Sequence, residues 1–262
     1  MKKKNPVCSE LKSECLEMLH TLHLGAMQEE LERISVLPEF EKLSHLEWLR
    51  HLLDRETEER GLRRKARLIK ESGLGAGDPS RLEKLVNCKE RNINESLINS
   101  IKTCDWLVAD FVAPILITGA TGTGKTFLAK AIGKNVIDHS MAVFYTRLQQ
   151  LIEMMHEYGA QHRMASFRGR MSHFRLLIID DWGLAKLEEQ DVCDLLSLFD
   201  DRIGRSGLII SSQLAVSDWY EYIGDAYRAD AIMDRLKNGS YEFELTGESM
   251  RKLMHPSRQK GA

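Results

Sequence analysis

From about Ser9 to Ser72, apolar residues return every three or four positions, the spacing that lines one face of an α-helix. One set runs Leu11, Cys15, Leu16, Met18 and Leu19, then Leu22, Leu24 and Met27. A second runs Leu43, Leu46, Leu49, Leu52 and Leu53. Pro38 interrupts between them, and Ser44 followed by Glu47 has the spacing of a capping box that opens the second helix. These leucines are expected to pack as the core of a small helical domain. From Pro114 the pattern changes. Short β-prone runs fall at 114–118, 142–146, 176–180, 208–212 and 241–245, with helical stretches filling most of the intervals. Runs such as Leu176-Leu177-Ile178-Ile179 are apolar without alternation, as in strands covered on both faces. The pattern predicts an α/β fold around a parallel sheet, preceded by an all-helical domain.

Gly73-Leu74-Gly75-Ala76-Gly77-Asp78-Pro79 ends the helical region and reads as a flexible break. The expected division is therefore 1–78 for the helical domain, 79–246 for the α/β domain and 247–262 for a tail. Composition adds limits. Formal net charge is −2, which by itself argues for neither a nucleic-acid nor a basic partner. The five cysteines, Cys8, Cys15, Cys88, Cys104 and Cys193, are odd in number and scattered, as suits free thiols in a reducing compartment. His20-x-x-His23 near Cys15 lacks the residues to complete a metal site. No apolar run reaches membrane-spanning length and the start lacks a signal-peptide core, so a soluble, cytoplasmic protein with no membrane partner is expected.

Chemistry concentrates after the first β-prone run. Gly119-Ala120-Thr121-Gly122-Thr123-Gly124-Lys125-Thr126 matches G-x-x-x-x-G-K-[ST] without departure and sits between a strand and a helix. Glycines let backbone N–H groups converge on a triphosphate, and the following helix aims its positive end at the same charge. Lys125 is expected to reach the β/γ-phosphates and the Thr126 hydroxyl to help hold Mg²⁺. Leu176 to Ile179 leads into Asp180-Asp181, at the strand end where open parallel sheets bind ligands. Asp180 is expected in the Mg²⁺ shell and Asp181 beside the attacking water. Ser212 or Gln213, ending another strand, is placed to reach the γ-phosphate or the water. Arg235, or Arg228 two turns earlier, is a candidate to face a neighbouring subunit's nucleotide.

Two basic stretches suit a phosphate backbone. Arg60, Arg63, Arg64 and Arg67 share one helical face, with Asp54, Glu56, Glu58 and Glu59 just upstream to pair with part of the stripe within the helix. Between Tyr158 and Asp180 there is no acidic residue, while Arg163, Arg168, Arg170 and Arg175 fall there.

Together these residues resemble the AAA+ ATPases and, within them, the IstB-like transposition helpers, relatives of DnaC-type helicase loaders. The likeness covers nearly the whole chain: the phosphate loop, Leu177 to Leu184, Ser211-Ser212-Gln213-Leu214, Ile223-Gly224-Asp225, Asp234-Arg235-Leu236 and Leu245 to Lys252. The resemblance implies an AAA+ P-loop core behind an N-terminal helical domain, ATP and Mg²⁺ as ligands, and ATP-dependent self-association on double-stranded DNA to assist a transposase. By position it makes Ser212 the sensor 1 residue and Arg235 the arginine finger. Asp181 stands where AAA+ proteins usually carry Glu, one methylene longer. The short stretch after Leu245 implies a reduced or absent lid and leaves a sensor 2 role for Arg251 open. A helicase loader shares the same core, and a small-molecule kinase shares the phosphate loop; both remain as alternatives at this point.

Overall fold

The computed structural model describes residues 6–37, 43–86 and 88–250. Pro38 and Arg251 lie outside the described residues. The chain divides into two compact units, Met1–Ala66 and Arg67–Ala262.

The first unit holds α1 (Pro6–Thr21), α2 (Gly25–Ile34) and most of α3 (His45–Glu71). The capping box opens α3: the Ser44 N–H and hydroxyl both donate to the Glu47 carboxylate, at 2.8 Å and 2.7 Å. Met27, Leu31, Ile34 and Leu52 make its small core, with Leu16, Leu19, Leu24 and Trp48 packed against them. The expectation that both leucine sets are core is corrected for each: Leu11, Met18 and Leu22 of the first and Leu46, Leu49 and Leu53 of the second are exposed. Two short helices, α1 and α2, offer too little apolar surface to cover a full stripe on a helix of 27 residues.

The second unit is built on β1 (Ile115–Gly119), β2 (Val143–Arg147), β3 (Leu176–Trp182), β4 (Gly207–Ser212) and β5 (Tyr241–Leu245), which form one sheet in the order β2-β3-β4-β1-β5. Every pairing is parallel. Parallel neighbours need crossovers, and the helices between strands supply them: α5 (Lys125–Asp138), α6 (Leu148–Ala160), α7 (Met164–Ser172), α8 (Glu189–Arg202), α9 (Trp219–Ile223) and α10 (Ala226–Lys237). Alternation along each strand sorts side chains between two cores. Ile115, Ile117, Val143, Leu176, Ile178 and Ile209 face α5 and α4 (Glu95–Lys102). Leu116, Phe144, Leu177, Ile179, Leu208 and Ile210 face the layer made by α6 to α10. The five expected strands and the parallel α/β architecture are thus present.

One irregularity interrupts the alternation. Ile179 pairs with Ile210 and Trp182 with Ser212, so two residues of β3, Asp180 and Asp181, oppose the single Ser211. Asp181 takes a left-handed backbone, φ 60°. This β-bulge turns Trp182 onto the face of Ile179, where it packs among Phe199, Trp219 and Tyr222.

The glycine-rich segment 73–79 is packed, contrary to the reading of a flexible break, and lies within the second unit. Leu74 is 1 % exposed in the α5-side core. Gly73 has φ 73° and leaves no room for a Cβ beside the Tyr145 carbonyl. Asp78 is held by Lys130 and Lys134 of α5, each at 3.0 Å. Burial would raise the Asp78 carboxyl, but hydrogen bonds from Ser80 and the two ammonium groups outweigh it and hold the group well below the ordinary carboxylate range.

Two measurements test this anchoring. Leu74→Ala is expected to destabilise the second unit by about 2–5 kcal/mol in denaturant melts, whereas Val108→Ala, at an exposed position, changes little. Asp78→Asn removes a group whose folded pKa is depressed, so its stabilisation is fully present above the unfolded value of about 3.9 and is lost as pH falls from there through the folded value. The melting-temperature gap between wild type and Asp78→Asn is therefore expected to be full at neutral pH, to begin narrowing below about pH 4 and to close only in stronger acid.

Candidate nucleotide site

All five strands point their carboxyl ends to one edge, and the register lines up what they carry there. Gly119 sits beside Leu245, Thr118 beside Ser212, and Arg147 beside Asp180. The phosphate loop leaves β1 at this edge and enters α5 at Lys125, with Gly124 as N-cap. Gly119, Gly122 and Gly124 have φ of 141°, 86° and 94°, backbone that L side chains rarely adopt. A Cβ on Gly122 would also lie 2.8 Å from the Ser249 Cβ. The loop therefore has its wrapped shape already, drawn in by Thr123 Oγ1 donating to the Ala120 carbonyl at 2.8 Å. Lys125 folds back over it and donates to the carbonyls of Gly119 and Ala120, at 2.7 Å and 2.9 Å.

Asp180 is the meeting point of this edge. Its carboxylate is 2 % exposed and accepts from Thr126 Oγ1 at 2.8 Å, from Tyr145 Oη at 2.7 Å and from Ser211 Oγ, with the Asp181 N–H at 3.1 Å. Burial first, and the Asp180 charge second, push the Tyr145 hydroxyl above its ordinary range, so it stays a donor. Thr126 and Asp180 offer a hydroxyl and a carboxylate. Such hard oxygen donors fit Mg²⁺ that completes its shell with phosphates and water. Asp181 pairs with Arg147 at 3.3 Å.

Ser212 lies on the opposite face of β4 from Ser211. Strand alternation puts Ser211 on the α5 face with Asp180 and Ser212 on the other. The Ser212 hydroxyl donates to the Trp182 carbonyl at 2.7 Å and accepts from the Leu214 N–H at 3.0 Å. Of the pair Ser212 and Gln213, it is Gln213 that meets the phosphate loop, accepting from Thr121 Oγ1 at 2.6 Å. Arg235 pairs with Asp200 of α8 and donates to the Ala231 carbonyl at 2.6 Å. Arg228 pairs with Glu189 at 2.7 Å and with Asp225 at 3.7 Å.

The basic residues are exposed but not idle. On α3, Arg60 and Arg63 pair with Glu56 and Glu59 one turn earlier, each at 2.8 Å, and Arg64 and Arg67 are exposed. Around α7, Arg163 and Arg170 lie over the rings of Tyr158 and Phe144, each at 5.6 Å, while Arg168 pairs with Asp201 at 3.9 Å. Sequence reading missed Tyr145, Arg147 and Ser211. Their signal is positional: each lies at or within two residues of a strand's carboxyl end, on the face of Asp180.

Comparison with known proteins agrees with this geometry. A family model described as IstB-like ATP binding protein matches residues 17–258. A putative insertion sequence ATP-binding protein of Sinorhizobium fredii is 36 % identical over 237 residues, covering 90 % of this chain and 95 % of the relative. The putative ATP-binding protein of insertion sequence IS1162 from Pseudomonas fluorescens is 36 % identical over 202 residues, covering 77 % and 86 %. Among solved structures, AMPPCP-bound DnaA from Aquifex aeolicus superposes with a TM-score of 0.54 at 20 % identity, over 71 % of this chain and 56 % of that one. DnaI superposes with a TM-score of 0.51 at 16 % identity, over 65 % and 90 %. These two likenesses are of fold, the AAA+ P-loop architecture. Among the described residues, no helix is long and apolar enough to cross a membrane.

Substitution is expected to separate the two serines. Ser211→Ala is expected to raise the Mg²⁺ concentration needed for ATP binding by about tenfold, by freeing one side of Asp180. Ser212→Ala is expected to cost about 1 kcal/mol of stability and to leave the Mg²⁺ requirement unchanged, as titrations at fixed nucleotide would report.

Proposed function

The chain belongs to the IstB-like ATP-binding protein family, and from that premise we propose that it is an ATPase that assembles on double-stranded DNA and assists the transposase of an insertion sequence. The observation that carries the catalytic part is the hydrogen bond from Thr126 to Asp180, which joins the phosphate loop and the β3 carboxylate into one site. Gly119 to Thr126 would cradle the phosphates, with Lys125 exchanging two loop carbonyls for phosphate oxygens. Mg²⁺ held by Thr126 and Asp180 would offset charge on the β- and γ-phosphates.

Asp181 is the group for the attacking water, and two features slow it. Its side chain is one methylene shorter than Glu, and it is tied to Arg147. Basal hydrolysis is therefore slow in this reading and rises when DNA or a partner rearranges the edge. Arg235 is the residue offered to a neighbouring subunit's nucleotide, with Arg228 as the other candidate. Either must first leave the carboxylates that hold it within its own chain. The exposed arginines Arg60, Arg63, Arg64 and Arg67, and Arg163, Arg168 and Arg170, suit DNA phosphates. Such contacts weaken as salt rises.

The sequence relatives favour transposition over replication. The fold likeness to DnaA and DnaI extends to replication proteins but lies at or below 20 % identity, whereas relatives at 36 % identity are named for insertion sequences.

Two variants test this reading. Lys125→Ala is expected to abolish nucleotide-dependent assembly on DNA, measured by light scattering or sedimentation. A Lys125→Ala protein that still assembles in response to ATP overturns the proposal. Asp181→Asn is expected to keep ATP binding while turnover falls on the order of a hundredfold, read in a phosphate-release assay.

A further inference from the structure

Arg91 is a buried arginine beside the phosphate loop with two unused donor nitrogens. Its side chain belongs to a residue 6 % exposed, and its Nε and Nη2 have no hydrogen-bond partner among the described residues. The guanidinium lies against Gly124: a Cβ built there would crowd Nη2 and sit 3.2 Å from Cζ. Its backbone is fixed by β5 and by Thr246 just beyond that strand. The Arg91 carbonyl accepts from the Thr246 N–H at 3.3 Å, the Glu90 carbonyl accepts from Thr246 Oγ1 at 3.3 Å, and Asn92 Nδ2 donates to the Glu244 carbonyl at 3.1 Å. The side chain is delivered to the loop by this strut.

A second buried arginine shows what a purely structural one looks like in this chain. Arg202 is 1 % exposed and donates to the carbonyls of Met171, Phe174 and Gly207, at 2.7 Å, 2.9 Å and 2.9 Å. Only its Nε goes without an acceptor. Arg91 has no such carbonyls. A cation taken out of water without a partner is costly, and burial lowers the Arg91 pKa accordingly. Nε and Nη2 form the side-on edge of the guanidinium, two parallel donors spaced for two oxygens of one anion. The edge sits at the N-terminus of α5, where the helix also favours negative charge.

We propose that Arg91 is a phosphate ligand of the bound nucleotide, a second cation at the loop beside Lys125 and one that the phosphate-loop motif does not encode. This rests on the reading of that loop as a nucleotide site. Nucleotide binding then gives Arg91 its missing acceptors and ties residues 88–93 and 244–250 to the occupancy of the loop.

The test is calorimetric titration of the full chain with Mg·ATP, and displacement of bound nucleotide by inorganic tripolyphosphate, for wild type, Arg91→Met and Arg91→Lys. Arg91→Met is expected to weaken ATP and tripolyphosphate alike by about tenfold to a hundredfold. Without nucleotide it should melt no lower than wild type, because it removes a cation that has no partner. Arg91→Lys keeps the charge but not the fork and is expected in between. Unchanged ATP affinity in both variants overturns the proposal. Loss of ATP affinity with tripolyphosphate unaffected also overturns it, since the contact is then to base or ribose. A nucleotide-free Arg91→Met protein that melts well below wild type assigns a structural role instead. Should Arg91→Met fail to fold, Arg91→Lys with wild-type affinity suffices to reject the fork. Wild type that fails to bind ATP removes the nucleotide-site reading itself, whereas wild type that binds beside an Arg91→Met protein that binds equally removes Arg91 alone.

Discussion

A carboxylate can be buried only where donors replace the water it gives up, and Asp180 meets that condition by drawing on one helix and two neighbouring strands. Thr126 comes from the start of α5, Tyr145 from β2 and Ser211 from β4, and each is a hydroxyl. The sheet edge is therefore assembled around one acceptor. Removing any of these elements takes one donor from Asp180, and removing Asp180 leaves three hydroxyls without their shared acceptor. Ordering of the phosphate loop, the ends of the strands and the first turn of α5 all depend on this shared requirement.

The bulge in β3 makes the arrangement possible. In an unbroken strand Trp182 would share the face of Asp180 and crowd the α5 side with an indole. With two residues opposing Ser211, Asp180 stays on the α5 side and the indole goes to the other core. Asp181 is left at the bulge in a left-handed conformation, its side chain reaching Arg147 at the end of β2. One extra residue thus separates the group that suits a cation from the group that suits a water molecule. Their closeness in sequence is misleading about their surroundings.

The strands, the parallel sheet and the phosphate loop were legible because each rests on local pattern. Fully apolar runs such as Leu176 to Ile179 have one good explanation, and the spacing of Gly119, Gly124, Lys125 and Thr126 has few others. Ser211 was not legible, since choosing it over Ser212 requires knowing which face of β4 Asp180 shares. Arg91 was hidden for a related reason: its neighbours in sequence are unremarkable, and only the register of β1 against β5 brings it to the loop. Segment 73–79 misled in the opposite direction. Its composition is that of a hinge, yet Leu74 and Asp78 fasten it to α5, because glycines also serve where backbone must pass close to backbone. The leucines of α3 had helical period without the burial expected of them, since periodicity reports a face and not what covers it.

The contacts that finish the loop come from far along the chain. Glu90 and Asn92 bond to Thr246 and Glu244, 156 and 152 residues away, and the Met250 N–H donates to the Gly122 carbonyl. Long-range closures of this kind form late, because the entropy of joining distant segments must be met before any of them is rewarded. During synthesis, β1 and the phosphate loop emerge well before β5, which supplies their neighbour. A nascent chain thus carries the recognisable motif for a long time without its working geometry. Competence to hold nucleotide arrives only when β5 and the residues just after it have joined the edge that β1 began.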